Sequence, residues 1–141
     1  MTASCHMDSP KLSQILIIED DENDSFLLGR QVLRAQIDDE VRIIRDGREA
    51  LDVLFTTPFP PMVIFLDLQL RGMSGLEVVR KLKAHPRLKD IPVIILTGSK
   101  NPHDFEECMS LGVMSYLGKP VTLPQFIRAI APLYPQLSLH Q

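Results

Sequence analysis

Residues 62–72 read Met62-Val63-Ile64-Phe65-Leu66-Asp67-Leu68-Gln69-Leu70-Arg71-Gly72. A short, wholly apolar run with Pro60 and Pro61 before it and Gly72 after it predicts a strand buried on both faces. Parallel sheets carry strands of this kind, because helices cover both of their faces. Asp67 closes the run. Its carboxylate therefore stands at the carboxyl end of the strand, where open α/β sheets bind ligands. Taken alone it serves equally well as a helix cap, and the other strand ends must decide.

The pattern repeats along the chain. Apolar segments at 14–18, 41–45, 62–66, 92–96 and 114–117 predict strands, and segments at 24–36, 47–55, 75–84, 103–110 and 123–131 predict helices. Phe126, Ile130, Leu133 and Tyr134 share one face of the fifth helix. The fourth groups Phe105, Cys108 and Met109, and the third groups Gly75, Val78, Val79 and Leu82. The first is untidy: Phe26, Leu33 and Ile37 lie on one side, Leu28, Val32 and Ala35 nearly opposite. Such a helix either packs on two sides or offers a contact surface. Strict alternation with short connections predicts one α/β domain, a doubly wound parallel sheet with helices on both faces. It occupies 11–135, after a disordered leader at 1–10. Pro132 and Pro135 are expected to end regular structure, leaving a short tail at 136–141.

Composition narrows the function. The 141 residues are 45% hydrophobic and 23% charged, as in a soluble globular domain, and the net charge of -3 argues against nonspecific grip on nucleic acid. Cys5 and Cys108 lack CxxC spacing and are expected to be reduced thiols of a cytoplasmic protein. His6, His85, His103 and His140 are scattered, with no metal-ligand spacing. No apolar stretch has membrane-spanning length.

Three other strand ends carry polar groups. Glu19-Asp20-Asp21 follows the first strand, Thr97 ends the fourth and Lys119 leaves the fifth. Each has an ordinary explanation: acids at a helix start, a threonine in a turn, a solvated lysine. Together they suit one chemistry. Adjacent carboxylates repel unless a cation neutralises them, and Mg2+ takes oxygen ligands from one or two carboxylates, water and phosphate. An Asp carboxylate can attack phosphorus, while a hydroxyl and an ammonium satisfy the phosphoryl oxygens.

Four segments in order carry a resemblance: ILIIEDDEN (15–23), MVIFLDLQLRGMSG (62–75), IPVIILTGS (91–99) and YLGKPV (116–121). They resemble response-regulator receiver domains of bacterial two-component signalling. The resemblance implies a flavodoxin-like five-stranded sheet in the order 2-1-3-4-5, which brings the four strand ends together. It also implies that Asp67 is the phosphoacceptor and that Glu19, Asp20, Asp67 and the backbone carbonyl of Gln69 hold Mg2+, with Mn2+ able to substitute. Thr97 and Lys119 would take the phosphoryl oxygens, Thr97 and Tyr116 would form the switch, and Gln69 and Ser99 would tune the lifetime. The Lys119-Pro120 bond would be cis.

A receiver promotes its own phosphorylation and dephosphorylation and is not a turnover enzyme. The expected partner is a sensor histidine kinase, and HPRLKDIPVIILTGS (85–99) further resembles small receivers paired with phytochrome-type kinases. Without an output domain, the signal would pass to a downstream protein or a homodimer through the fourth helix, fifth strand and fifth helix. Nucleic acid and membrane are not expected partners. Three departures stand out: Arg71 where many receivers have proline, Gly98 in place of alanine, and Pro132 within the usual fifth helix. Two competing classes are a phosphorylation-independent pseudo-receiver scaffold and a small Mg2+-dependent phosphatase. Intact acids, Thr97 and Lys119 count against the first. Gln69, where an Asp-nucleophile phosphatase would carry a second Asp, counts against the other.

Overall fold

Each apolar run forms a short strand because its β-branched and large residues fill both faces of a pleated ribbon. The computed structural model describes residues 14–138. The expected leader with Cys5 and His6, and residues 139–141 with His140, lie outside the described residues. The elements are β1 (Ile15–Ile18), α1 (Glu22–Arg34), β2 (Val41–Ile44), α2 (Gly47–Thr56), β3 (Val63–Asp67), α3 (Gly75–Ala84), β4 (Val93–Thr97), α4 (Pro102–Ser110), β5 (Ser115–Gly118) and α5 (Leu123–Ile130). All strands are parallel, in the order β2-β1-β3-β4-β5.

The sheet separates two apolar layers. On one side Leu16, Ile18, Ile64, Leu66 and Ile95 meet Leu51 and Leu54 of α2, Val78 and Leu82 of α3, and Cys108 of α4. On the other, Ile15, Ile17, Phe65 and Leu96 meet Leu28 and Val32 of α1 and Phe126 and Ile130 of α5. Phe65 and Phe126 stack with centroids 5.5 Å apart. Alternate residues of every central strand thus serve opposite layers, so a one-residue slip would exchange them.

The first helix starts at Glu22, because Asp21 caps it by accepting from the Asp24 amide. Its ambiguity resolves into one packed side and one open side. Leu28, Val32, Ala35 and Ile37 are buried, whereas Phe26 is 67% and Leu33 75% exposed. In α4 only Cys108 is buried; the expected companions Phe105 and Met109 are exposed. Burial there raises the Cys108 thiol to about 11. Pro132 does end α5, which passes into a 3-10 turn at Ala131–Leu133. Regular structure then resumes, contrary to expectation, in the short helix α6 (Pro135–Ser138). Proline cannot continue a helix but suits the first position of a new one.

Candidate functional site

Register sets the site. Ile18 lies opposite Leu66, Asp67 opposite Leu96, and Thr97 opposite Gly118. Glu19, Asp67, Thr97 and Lys119 therefore reach the same edge of the sheet at nearly the same height. Glu19 is 1%, Asp67 3% and Thr97 1% exposed.

The acids cluster around one point. Glu19, Asp20 and Asp67 each offer a carboxylate oxygen, and these oxygens lie within 4.8 Å of one another. Hard oxygen donors at that spacing fit a divalent cation such as Mg2+ or Mn2+, which would offset their mutual repulsion. Asp67 is held from two sides: its Oδ1 accepts from the Gln69 amide at 3.0 Å, and its Oδ2 lies 3.2 Å from Lys119 Nζ. Lys119 Nζ also donates to Glu19 Oε1 and to Asp24 Oδ2, each at 2.8 Å. Asp20 Oδ2 accepts from the Arg71 amide at 3.0 Å, with the Arg71 guanidinium 3.6 Å away. A proline at 71 could not donate that bond, so the departure at Arg71 ties the loop to an acid of the cluster.

The charges shift accordingly. Burial raises the Glu19 carboxyl to about 7, against the opposing pull of Lys119. Burial also works to lower the Lys119 ammonium, but hydrogen bonds to Asp24 and Glu19 outweigh it and hold the group above its ordinary value. The lysine stays cationic, and Glu19 is the member whose charge responds near neutrality.

This buried acid cluster beside a lysine occupies a chain whose residues 15–131 match the response regulator receiver domain. The chain belongs to that family. Response regulator Rcp1 of Synechocystis sp. is 36% identical over 121 residues, covering 82% of each protein. A probable cyclic di-GMP phosphodiesterase of Vibrio cholerae is 35% identical over 125 residues, which span 88% of this chain but 27% of that protein. Among solved structures, the bacteriophytochrome response regulator RtBRR superposes with a TM-score of 0.77 at 39% identity, covering 87% of this chain and 78% of the other. The Mn(2+)-bound form of Rcp1 gives 0.75 at 34% identity, covering 87% and 94%.

In this receiver the remaining residues named from the sequence are placed unequally. Thr97 Oγ1 accepts from the Ser99 amide at 2.9 Å, closing a tight turn at the end of β4. The Ser99 hydroxyl donates to Asp104 at 2.7 Å and accepts from the Asn101 amide, so it is engaged at the start of α4. Tyr116 meets the exposed Phe105 edge to face at 5.2 Å, and its buried hydroxyl faces the Thr97 side chain. Burial raises that phenol. The Lys119–Pro120 peptide is cis. Gly98 leaves room for a methyl group, since an added Cβ would meet only Gln69 Oε1 at 3.9 Å.

Two residues of the site carried no mark in the sequence. Asp24 sits in the first turn of α1, where acids are ordinary, and reaches Lys119 only through the packing of α1. Gly75 was grouped with the apolar face of the third helix, and nothing in the sequence marked it as a spacer. A Cβ there would lie 2.3 Å from the Asp67 carbonyl oxygen and 2.6 Å from Leu68 Cα. Helix α3 can approach the end of β3 this closely only without a side chain.

Proposed function

We propose that this receiver takes a phosphoryl group from a phosphohistidine of a sensor kinase onto Asp67, in the presence of Mg2+. A carboxylate oxygen of Asp67 bonds to phosphorus as the P–N bond breaks, and that electron pair leaves with the imidazole. Glu19, Asp20 and Asp67, with the Gln69 carbonyl, would hold the ion. When bound, it neutralises phosphoryl charge and aligns donor and acceptor. Lys119 neutralises a phosphoryl oxygen, and the Thr97 hydroxyl turns from the Ser99 amide to donate to another. The observation that carries this reading is Asp67 itself, a carboxylate 3% exposed yet placed between an acid cluster and an ammonium 3.2 Å away.

The new charge shifts the chain between two conformations. Movement of Thr97, which faces the Tyr116 hydroxyl, gives that ring a place to turn. The output surface is then α4, β5 and α5, read by a downstream protein or a second copy in the cytoplasm. The open side of α1, with Phe26 and Leu33 next to Val41 and Ile43 of the edge strand β2, suits a helix of the kinase. Likeness to RtBRR and Rcp1 supports a phytochrome-type kinase as donor. Incubation with Mg2+ and a small acyl phosphate should add one phosphoryl group by intact mass. The reading fails if the gain survives in Asp67→Asn.

A further inference from the structure

We infer that Asp24 is a positioning residue: a counter-ion that holds Lys119 in the resting receiver and competes with the phosphoryl group for it. The inference rests on Asp67 being the phosphoacceptor. An ammonium has three N–H donors, and Lys119 faces three carboxylates, at 2.8 Å to Glu19, 2.8 Å to Asp24 and 3.2 Å to Asp67. It donates hydrogen bonds to Glu19 and Asp24 and pairs with Asp67 by charge. A phosphoryl group on Asp67 replaces that carboxylate with a more highly charged acceptor, which competes with Glu19 and Asp24 for the ammonium, and the more loosely held of the two gives way.

Exposure decides which. The side chains of Glu19 and Asp67 are 2% and 4% exposed, while that of Asp24 is 37% exposed. Releasing a buried carboxylate leaves an uncompensated charge, whereas Asp24 can return to water. It also has room to do so, because a cavity of about 150 Å³ opens beside it, lined by Leu27, Gln31, Lys119 and Pro120 among others. Asp24 is not one of the acids that converge on a common cation point. A bound metal would draw on Glu19 and Asp67 and leave Asp24 as the carboxylate still on the lysine. Asp24 raises the free energy of the phosphorylated state relative to the resting one, and its loss favours the phosphorylated state.

The test uses beryllofluoride with Mg2+ as a phosphoryl mimic, titrated by 19F NMR. Asp24→Asn keeps the shape of the residue and should bind the mimic about 3- to 10-fold more tightly, the range of a partly exposed ion pair. Asp24→Glu, which keeps the charge, should bind like the wild type. In a Lys119→Gln background, Asp24→Asn should change nothing, because the competition has lost its object. A merely structural Asp24 predicts the opposite sign, with looser binding and a lower melting temperature in Asp24→Asn. Unchanged or weaker binding overturns the inference, as does an equal gain in the Lys119→Gln background, which would reflect general loss of negative charge. If the wild type itself fails to bind the mimic, the phosphoacceptor reading falls, and the inference with it.

Discussion

Replacing Gly75 by alanine tests how Asp67, the proposed phosphoacceptor, is positioned. The added Cβ would lie 2.3 Å from the Asp67 carbonyl oxygen and 2.6 Å from Leu68 Cα, where ordinary contact begins at 3.4 Å. Both are backbone atoms, so no flexible side chain can swing aside, and the start of α3 must separate from the end of β3 by about 1 Å. Overpacking of this size costs about 1–3 kcal/mol. The better helix propensity of alanine returns about 0.5–1 kcal/mol. The net loss, about 0–2.5 kcal/mol, corresponds to a melting temperature lower by up to roughly 10 °C. The larger effect falls on chemistry, since misplacing a reacting group by about 1 Å can cost on the order of 100-fold in rate. Guanidinium melts and initial rates of Mg2+-dependent phosphorylation by a small acyl phosphate measure the two separately. Gly98→Ala is the control, because its Cβ would meet only Gln69 Oε1 at 3.9 Å. Should Gly75→Ala fold and phosphorylate like the wild type, close approach of α3 does not position Asp67.

Glu19 gives a pH dependence. Its carboxyl is raised to about 7 and must be ionised to hold the cation, so Mg2+ affinity should rise about 10-fold between about pH 6 and about pH 8 by calorimetry. A flat profile contradicts this. In metal-free protein the folded state binds the Glu19 proton more tightly than the unfolded chain. Its contribution to stability is therefore full below the ordinary value of 4.5 and is lost as pH rises through about 7. Lys119→Met leaves Glu19 and Asp67 without their cation and should destabilise the metal-free protein by about 2–4 kcal/mol, with part recovered by Mg2+. Unaltered melts would show that the lysine is not the cluster's counter-ion. Phe26→Ser with Leu33→Ser should change stability by no more than about 0.5 kcal/mol. It should slow transfer from a kinase about 5- to 10-fold while leaving small-donor phosphorylation intact; equal slowing of both routes would place the effect in the site instead.

The strands were legible because apolar runs bounded by proline and glycine have few other uses, and Asp67 was legible as the polar residue ending the most apolar of them. The order of strands was not contained in the alternation; it came with the resemblance. Helix α4 misled because Phe105 and Met109 lie about 60° and 100° around the helix from Cys108. The sheet reaches only one margin of that stripe, leaving both exposed. At the chain's end, Pro135 reads equally as a stop or a start, and Leu137, 7% exposed, decides for a start by packing with the α1 and α5 layer. The cluster of Glu19, Asp20, Asp67 and Lys119 follows from strand register once the order is given. Asp24 does not, because its partner is 95 residues away and the contact depends on how α1 seats on the sheet. The engagement of Ser99 with Asp104 was equally invisible, since it depends on the turn into α4.

The most direct test of the central claim is to label the receiver from a phosphorylated phytochrome-type histidine kinase and reduce the product with borohydride. That reduction converts an aspartyl phosphate to homoserine, which peptide mass spectrometry can place. Homoserine at position 67, dependent on Mg2+ and lost on chelation, is the predicted result. Label at any other residue, or transfer that proceeds equally well in Asp67→Asn, would contradict it.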